Sequence, residues 1–365
     1  LPARVGHYTS TMLDGITEQS DLMWSGCGPQ KILLSFRFNR DLYPNPDADA
    51  EPETLWPQIA PRLFPDLRGQ YDFENLLDYT GITVAELTQS LWEFVWRGRV
   101  SNDTFGSLRK GIETKFKPIE TAKRMAAPTS AGMRGRFNAW KSSRAYPGHW
   151  YVLPEIQADM DALDEEELNQ ERIRVLVGRY GVLFREVLAQ ELPCMRWGAL
   201  FKTLRRMELA GELVTGYFFE DIPGLQFTTS AALETFLGPM PEESIFWLNA
   251  TDPASFCGSE LPALKETLPR RLQGTHIVYH GARLVIVSKG NGKELEIRVP
   301  VESLDLPDYF GFMEHLLARS FMPLPSIAIE TINGERAASS PYLSILESLF
   351  EVAADWNKVT AYKRA

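Results

Sequence analysis

The sequence predicts an α+β protein: tandem winged-helix modules followed by a small β-rich, barrel-like C-terminal domain. One observation is the stretch LRRMELAGELVTGYFFEDIPGLQF, Leu204–Phe227, which reads as a helix end, a glycine stop, a strand, a loop and a second strand. A helix followed by a hairpin is the winged form of the helix-turn-helix. A second observation is recurrence. LWEFVWRGRV from Leu91 aligns without a gap on LRRMELAGEL from Leu204, matching Leu91 with Leu204, Phe94 with Met207, Trp96 with Leu209, Gly98 with Gly211 and Val100 with Leu213. Repeats of a supersecondary unit signal tandem modules. The third is a change of period from about Glu243, after which THIVYHGARLVIVSKGNGKELEIRV alternates in twos.

Residues 1–57 read as a partial module: a helix near 9–18, then a hairpin of DLMWSG and KILLSFRF. Residues 58–150 hold a second module. Thr83 and Glu86 make a capping box that starts its last helix. Leu87, Leu91 and Phe94 form that helix's core stripe, while Glu86, Gln89 and Glu93 face outward as an acidic surface. Trp92 and Trp96, four apart, form a separate aromatic edge that fits either core packing or a protein interface. Residues 151–240 hold a third module with helices near 169–178, 183–190 and 196–210, then the wing. In its last helix Leu200, Leu204 and Met207 share the core face with Trp197 beside them, and Lys202, Arg205 and Arg206 lie opposite, free to meet phosphate or base edges. Gln226, just past the wing, is a weaker DNA-binding candidate. Residues 241–365 form the β-rich domain: three strands joined by HGA and NG turns, a helix near 307–320, the strand SIAIETING, a helix near 341–350 and a closing strand near 358–363.

Charge is distributed unevenly. The net charge of −10 argues on average against nucleic acid. Yet Arg97–Pro147 carries twelve Lys/Arg, among them Arg97, Arg99, Lys123, Arg124, Arg134 and Arg136, against three acids. That stretch is +9, and it also holds Phe116, Phe137 and Trp140, so it can track phosphates and stack bases. The alternative is a solvated linker, which AAPTSAGMRGR resembles. No apolar run approaches the roughly 20 residues that span a bilayer. Cys27, Cys194 and Cys257 are odd in number and far apart, the pattern of reduced thiols in a cytoplasmic protein. Starting at Leu1 without a signal pattern, the chain is expected to be a piece of a longer polypeptide.

No Walker lysine motif, GxGxxG or GxSxG occurs, which removes ATP hydrolysis, dinucleotide binding and serine hydrolysis by those routes. His276 and His280 sit in a strand and its turn with no nearby cysteine cluster, so no metal site is expected.

The ordered segments LWEFVWRGRVSNDTFGSLR, RYGVLFREVL, FKTLRRMELAGELVTGYFFEDIPGLQF, LNATDPASFCG and ETINGERAASSPYLSILES resemble the C-terminal region of Lhr, the bacterial large helicase-related repair proteins. The resemblance covers nearly the whole chain. It implies an array of winged-helix modules with a β-rich end that forms homo-oligomers, a tetramer among them, while the +9 stretch points to single-stranded or branched DNA as the ligand. It also implies a helicase core outside this chain, using ATP and Mg, and no cofactor in the chain itself. The array is further similar to winged-helix DNA glycosylases of the AlkZ type, and a uracil-excising activity is attributed to the family. That activity depends on an aspartate very near the C-terminus, and Asp355 is the last aspartate here. Trp356 beside it offers an aromatic wall and partial desolvation, which would poise Asp355 as a general base. The alternative is an Asx-type turn.

Two functions follow: a non-catalytic DNA-binding and oligomerisation region of an ATP-dependent repair helicase, or a uracil-DNA glycosylase using an aspartate-activated water.

Overall fold

Thr83 starts the helix that organises the first part of the chain. Its hydroxyl accepts the Glu86 N–H, and the Glu86 carboxylate accepts the Thr83 N–H at 2.9 Å, so two of the helix's orphan donors are satisfied reciprocally. The helix runs Val84–Trp96 and buries Leu87, Leu91, Trp92, Phe94 and Val95. It stops where Gly98 takes φ of 65°, a left-handed conformation suited to glycine.

The computed structural model describes residues 5, 8–44, 56–117, 146–155, 161–239 and 241–364. Packing separates the chain into two compact units, one of Thr11–Glu171 with Leu192–Cys194 and one of Leu1–Ser10, Arg172–Glu191 and Met195–Ala365.

The first of these contains, in order, α1 (Ser10–Gln19), β1 (Leu22–Gly26), β2 (Ile32–Phe36), α2 (Trp56–Leu63), β3 (Gln70–Tyr71), α3 (Phe73–Thr80), α4 (Val84–Trp96), β4 (Val100–Asn102), α5 (Phe105–Glu113) and β5 (Trp150–Val152). The strands β3, β5 and β4 form one sheet in that order. The predicted hairpin is present as β1 and β2, paired antiparallel from Leu22↔Phe36 to Gly26↔Ile32. It packs on α4: Trp24 shares the core with Leu91 and Trp92. A Cβ at Gly26 would lie 1.8 Å from the Val95 carbonyl oxygen, so only glycine permits this approach.

The third module has α6 (Ala162–Tyr180), whose residues to Glu171 group with the first unit, then β6 (Val182–Leu183), α7 (Trp197–Leu209), β7 (Val214–Gly216), β8 (Gln226–Thr228) and α8 (Ser230–Leu237) in the other. Its sheet order is β6-β8-β7, the same first-third-second arrangement as β3-β5-β4. α4 and α7 end at the two residues that the gapless alignment matches, and Gly211 has φ of 80° where Gly98 has 65°. The repeat is therefore structural. Two expectations are corrected. No helix covers 183–190: the buried run Val182–Phe184 follows a left-handed Gly181, and Val182 and Leu183 pair with β8 instead. α6 begins earlier than 169, because its acidic first turn with Asp164 and Glu165 favours the helix dipole without showing apolar periodicity.

In the third module β7 and β8 are joined by residues 217–225, the wing. Of the basic run Arg97–Pro147, residues 118–145 lie outside the described residues.

The β-rich end has β9 (Ile245–Asn249), α9 (Pro262–Lys265), β10 (His276–His280), β11 (Arg283–Lys289), β12 (Glu294–Ile297), α10 (Gly311–Ala318), β13 (Ile327–Ile329), β14 (Thr331–Ile332), β15 (Glu335–Arg336), α11 (Leu343–Leu349), β16 (Glu351–Ala354) and β17 (Val359–Tyr362). Asn291 and Gly292 take φ of 56° and 98°, the turn that the NG pair predicts between β11 and β12. Six strands form an open sheet, β15-β14-β12-β11-β10-β9, and β13, β17 and β16 form a separate one. Phe310, Phe312, Ile286, Ile329, Leu346 and Val359 share its core. Among the described residues no pairing closes a barrel, and no helix is long and apolar enough to cross a membrane.

Candidate nucleic-acid interface and an adjoining cleft

On α7 the expected division of faces is present. Leu200, Leu204 and Met207 are buried, and Lys202 and Arg206 are exposed on the opposite side. Arg205 is half-buried and forms an ion pair with Glu208 one turn on. A bidentate pair from Arg174 to Glu212, at 2.6 and 3.0 Å, braces the turn after the helix. The exposed cationic surface therefore centres on Lys202 and Arg206, one helical turn apart.

Gln226 is not a surface contact. It is 0% exposed; its Oε1 accepts the Phe219 N–H at 2.9 Å, and its Nε2 donates to the carbonyls of Phe219 and Ile222 at 2.9 and 3.1 Å. Its role is to shape the wing from inside.

Arg97 is paired with Glu93 at 2.8 Å and Arg99 with Glu155 at 3.2 Å, so each already has a carboxylate partner. Lys123, Arg124, Arg134 and Arg136, with Phe137 and Trp140, lie outside the described residues. Glu86, Gln89 and Glu93 are exposed, as expected. The aromatic edge differs: Trp92 is 2% exposed and surrounded by Trp24, Tyr146, Trp150 and Phe116, with ring centroids 4.8–6.2 Å away. Trp96, half-buried, stacks on it at 5.3 Å. Packing inside the first unit accounts for Trp92, which offers no interface edge.

Asp355 stands in the turn between β16 and β17. Its Oδ1 accepts the backbone N–H groups of Asn357 and Lys358 at 2.8 and 2.9 Å, and these bonds hold its carboxyl below the usual carboxylate range. The side chain is exposed, so the expected desolvation is absent; the turn role is the one the geometry displays. Trp356 is 76% exposed and lies against the Arg336 guanidinium, 4.7 Å from its ring centroid. His280 is hydrogen-bonded through Nδ1 to the Tyr309 hydroxyl at 2.7 Å. His276 is buried against Phe312 and Trp247, and burial, with Arg319 and His315 nearby, pushes its pKa down to about 4. Among the described residues no group of His, Cys, Asp or Glu is arranged to hold a metal ion.

A cleft of about 460 Å³ lies beside the wing, walled by Phe184, Phe218, Phe219 and Phe256, with Glu220 and Asp221 also lining it. A second cleft of about 340 Å³ shares Tyr180, Val187 and Phe256 with it and adds Glu186, Glu191 and Arg271. The Tyr180 hydroxyl donates to Glu191, and burial pushes its pKa up to about 12. Arg271 donates to the carbonyls of Ser255, Thr251 and Asp252 at 3.0–3.2 Å, which fixes the loop carrying Phe256. Glu186 Oε2 is shielded from solvent and, among the described residues, has no hydrogen-bond partner. No sequence signal marks this site, because its walls come from three separate segments with no shared motif.

Comparison with known proteins finds related sequences. Residues 162–244 match the model described as large helicase-related protein, winged-helix domain. The chain is 28% identical over 361 residues to the Lhr helicase/probable uracil glycosylase of Mycolicibacterium smegmatis, covering 91% of this chain and 23% of that protein. It is 25% identical over 372 residues to the Lhr helicase/uracil glycosylase of Escherichia coli, covering 95% and 24% respectively. The chain thus spans about a quarter of the length of these curated relatives. Among solved structures, the Streptomyces sahachiroi DNA glycosylase AlkZ superposes with a TM-score of 0.41 at 16% identity, covering 85% of this chain and 83% of that one.

Proposed function

We propose that the chain is a DNA-binding and oligomerisation region of an ATP-dependent DNA repair helicase, because residues 162–244 match the large helicase-related winged-helix model and the chain is similar to part of two Lhr proteins. The observation that carries this reading is the exposed Lys202–Arg206 surface of α7, set opposite a buried apolar stripe within that domain. In a winged helix this is the helix that lies in the groove or against phosphates. The +9 charge of Arg97–Pro147 supports single-stranded or branched DNA as the partner. We take the chain as four parts, 1–57, 58–150, 151–240 and 241–365, and its assembly as a homo-oligomer, a tetramer by resemblance. The three cysteines, all free thiols, suit the cytoplasm. ATP and Mg belong to a helicase core beyond this chain. The test is binding to labelled single-stranded and forked DNA before and after the triple reversal of Lys202, Arg205 and Arg206 to Glu. Binding should fall well beyond the loss from one contact; unchanged binding removes this surface from the account.

The second reading is uracil-DNA glycosylase activity. It is favoured by the aromatic cleft beside the wing and by the names of both relatives. Excision needs a pocket for the base and a carboxylate at the sugar. Asp355, exposed and committed to a turn, meets the second requirement less well than a carboxylate at the cleft.

A further inference from the structure

We propose that the β16–β17 hairpin is a stacking platform for single-stranded DNA: an unpaired base lies on the open face of Trp356, and Lys358 meets a neighbouring phosphate. This rests on the DNA-binding reading. It adds a contact on the β-rich end, carried by different elements from the Lys202–Arg206 surface.

Trp356 is 76% exposed, whereas every other tryptophan among the described residues is buried or half-buried. An indole left in water forgoes the burial that stabilises a fold, and exposed tryptophan belongs to contact surfaces. The ring is nevertheless held in place. Asp355 Oδ1 accepts the N–H groups of Asn357 and Lys358 at 2.8 and 2.9 Å, and the Asp355 N–H donates to the Lys358 carbonyl at 2.9 Å. The turn carrying Trp356 is thus closed before any ligand arrives. The Arg336 guanidinium, from β15, lies over the ring 4.7 Å from its centroid and covers one face. The other face is left to solvent. Any base can stack there, because every base has a π-face. In a duplex those faces are already stacked on one another, so the platform selects an unpaired strand.

Charge and strand alternation extend the surface. Among the described residues neither Arg336 nor Lys358 forms an ion pair with a carboxylate, and both are exposed. Lys358, Lys363 and Arg364 stand on this hairpin against Glu351 and Asp355, a cationic stretch in a chain whose net charge is −10. Asp355 is the acid nearest the indole, and its Oδ1 is already engaged by two backbone N–H groups. Along β17, Val359 and Ala361 are buried, so Thr360 and Tyr362 face outward, with Ala353 of β16 opposite Thr360. Tyr362 is 40% exposed and gives the hairpin a second aromatic ring. Aromatic rings interleaved with cations are what surfaces for single-stranded nucleic acid combine.

The test uses the full chain with a fluorescently labelled oligo(dT) and a duplex of the same length, titrated by anisotropy at several salt concentrations. Trp356→Ala should weaken oligo(dT) binding by about 5- to 150-fold, the range that stacking of one base contributes. Duplex affinity and the urea midpoint should stay unchanged, since the side chain removed is exposed. Trp356→Phe should recover most of the lost affinity. The slope of log K against log salt should be the same in Trp356→Ala, because stacking releases no counterions. In Lys358→Ala it should fall by about 0.7, one phosphate on a single strand. Unchanged oligo(dT) affinity in Trp356→Ala, or an equal loss on the duplex, overturns the platform and leaves the Lys202–Arg206 surface standing. Unchanged affinity with a shift in assembly mass by light scattering gives Trp356 to a protein contact and overturns it equally. A wild-type chain that binds neither DNA at low salt sinks the DNA-binding reading itself, and the platform with it.

Discussion

Replacing Gln226 by Leu should loosen the wing while leaving the DNA-facing helix intact. The native amide makes three hydrogen bonds to the wing backbone, at 2.9, 2.9 and 3.1 Å. Leucine has similar bulk and makes none. Each lost bond removes about 1 kcal/mol net, and the Phe219 N–H and two carbonyls are left without their partner. The wing lies at the surface, so water satisfies part of this when the loop opens. The net effect is about 2–3 kcal/mol, which is roughly a 30- to 150-fold rise in the opening equilibrium at tenfold per 1.4 kcal/mol. Hydrogen exchange of the Phe219 amide reads that change directly, with urea unfolding as the second measure. DNA affinity should stay within a few-fold, because Gln226 is 0% exposed. An exchange rate within twofold of wild type, with an unchanged urea midpoint, would refute the positioning role. A large loss of DNA affinity in a folded, wing-ordered variant would restore Gln226 as a contact.

Trp92→Ala should destabilise its unit by about 3–5 kcal/mol by emptying the centre of an aromatic cluster, with oligomer mass at a given folded fraction unchanged; a shift in mass without loss of stability, measured by light scattering and urea unfolding, contradicts this. His276, with its pKa lowered from 6.5 to about 4 chiefly by burial, contributes stability that is present above pH 6.5 and lost as pH falls toward 4. The loss amounts to ~3 kcal/mol at its limit, and His276→Gln should flatten that part of the pH profile of urea unfolding; an unaltered profile rules His276 out as the cause. Tyr180, raised from 10.0 to about 12 mainly by burial, works at the other end: its contribution is full below pH 10 and lost as pH rises through 12, and Tyr180→Phe should remove that alkaline step.

Much of the backbone was legible because it follows from local chemistry. The Thr83–Glu86 box, the glycines ending α4 and α7, the Asn291–Gly292 turn and the Leu200/Leu204/Met207 stripe each depend on residues a few positions apart. The repeat was legible for the same reason, since the equivalent glycines and apolar positions keep their spacing. What failed depended on tertiary context. Val182–Phe184 looks helical in isolation and becomes a strand because β8 supplies its partner. Trp92 and Trp96 look like an edge until β1 and β5 bring Trp24 and Trp150 against Trp92. Gln226 looks like a polar surface residue until the wing folds over it. The cleft was invisible because Phe184, Phe219 and Phe256 meet only in three dimensions, and nothing in their sequence spacing announces it.

The most direct test of the central claim is the affinity of this chain for single-stranded DNA as a function of salt. A site engaging several phosphates through Lys202, Arg206 and the basic stretch should show log K falling linearly with log salt, at about −0.7 per phosphate neutralised on a single strand. The account predicts measurable binding at low salt, a slope corresponding to several phosphates, and a shallower slope when Lys202, Arg205 and Arg206 are reversed to Glu. No binding at low salt, or binding whose affinity does not respond to salt, would contradict it.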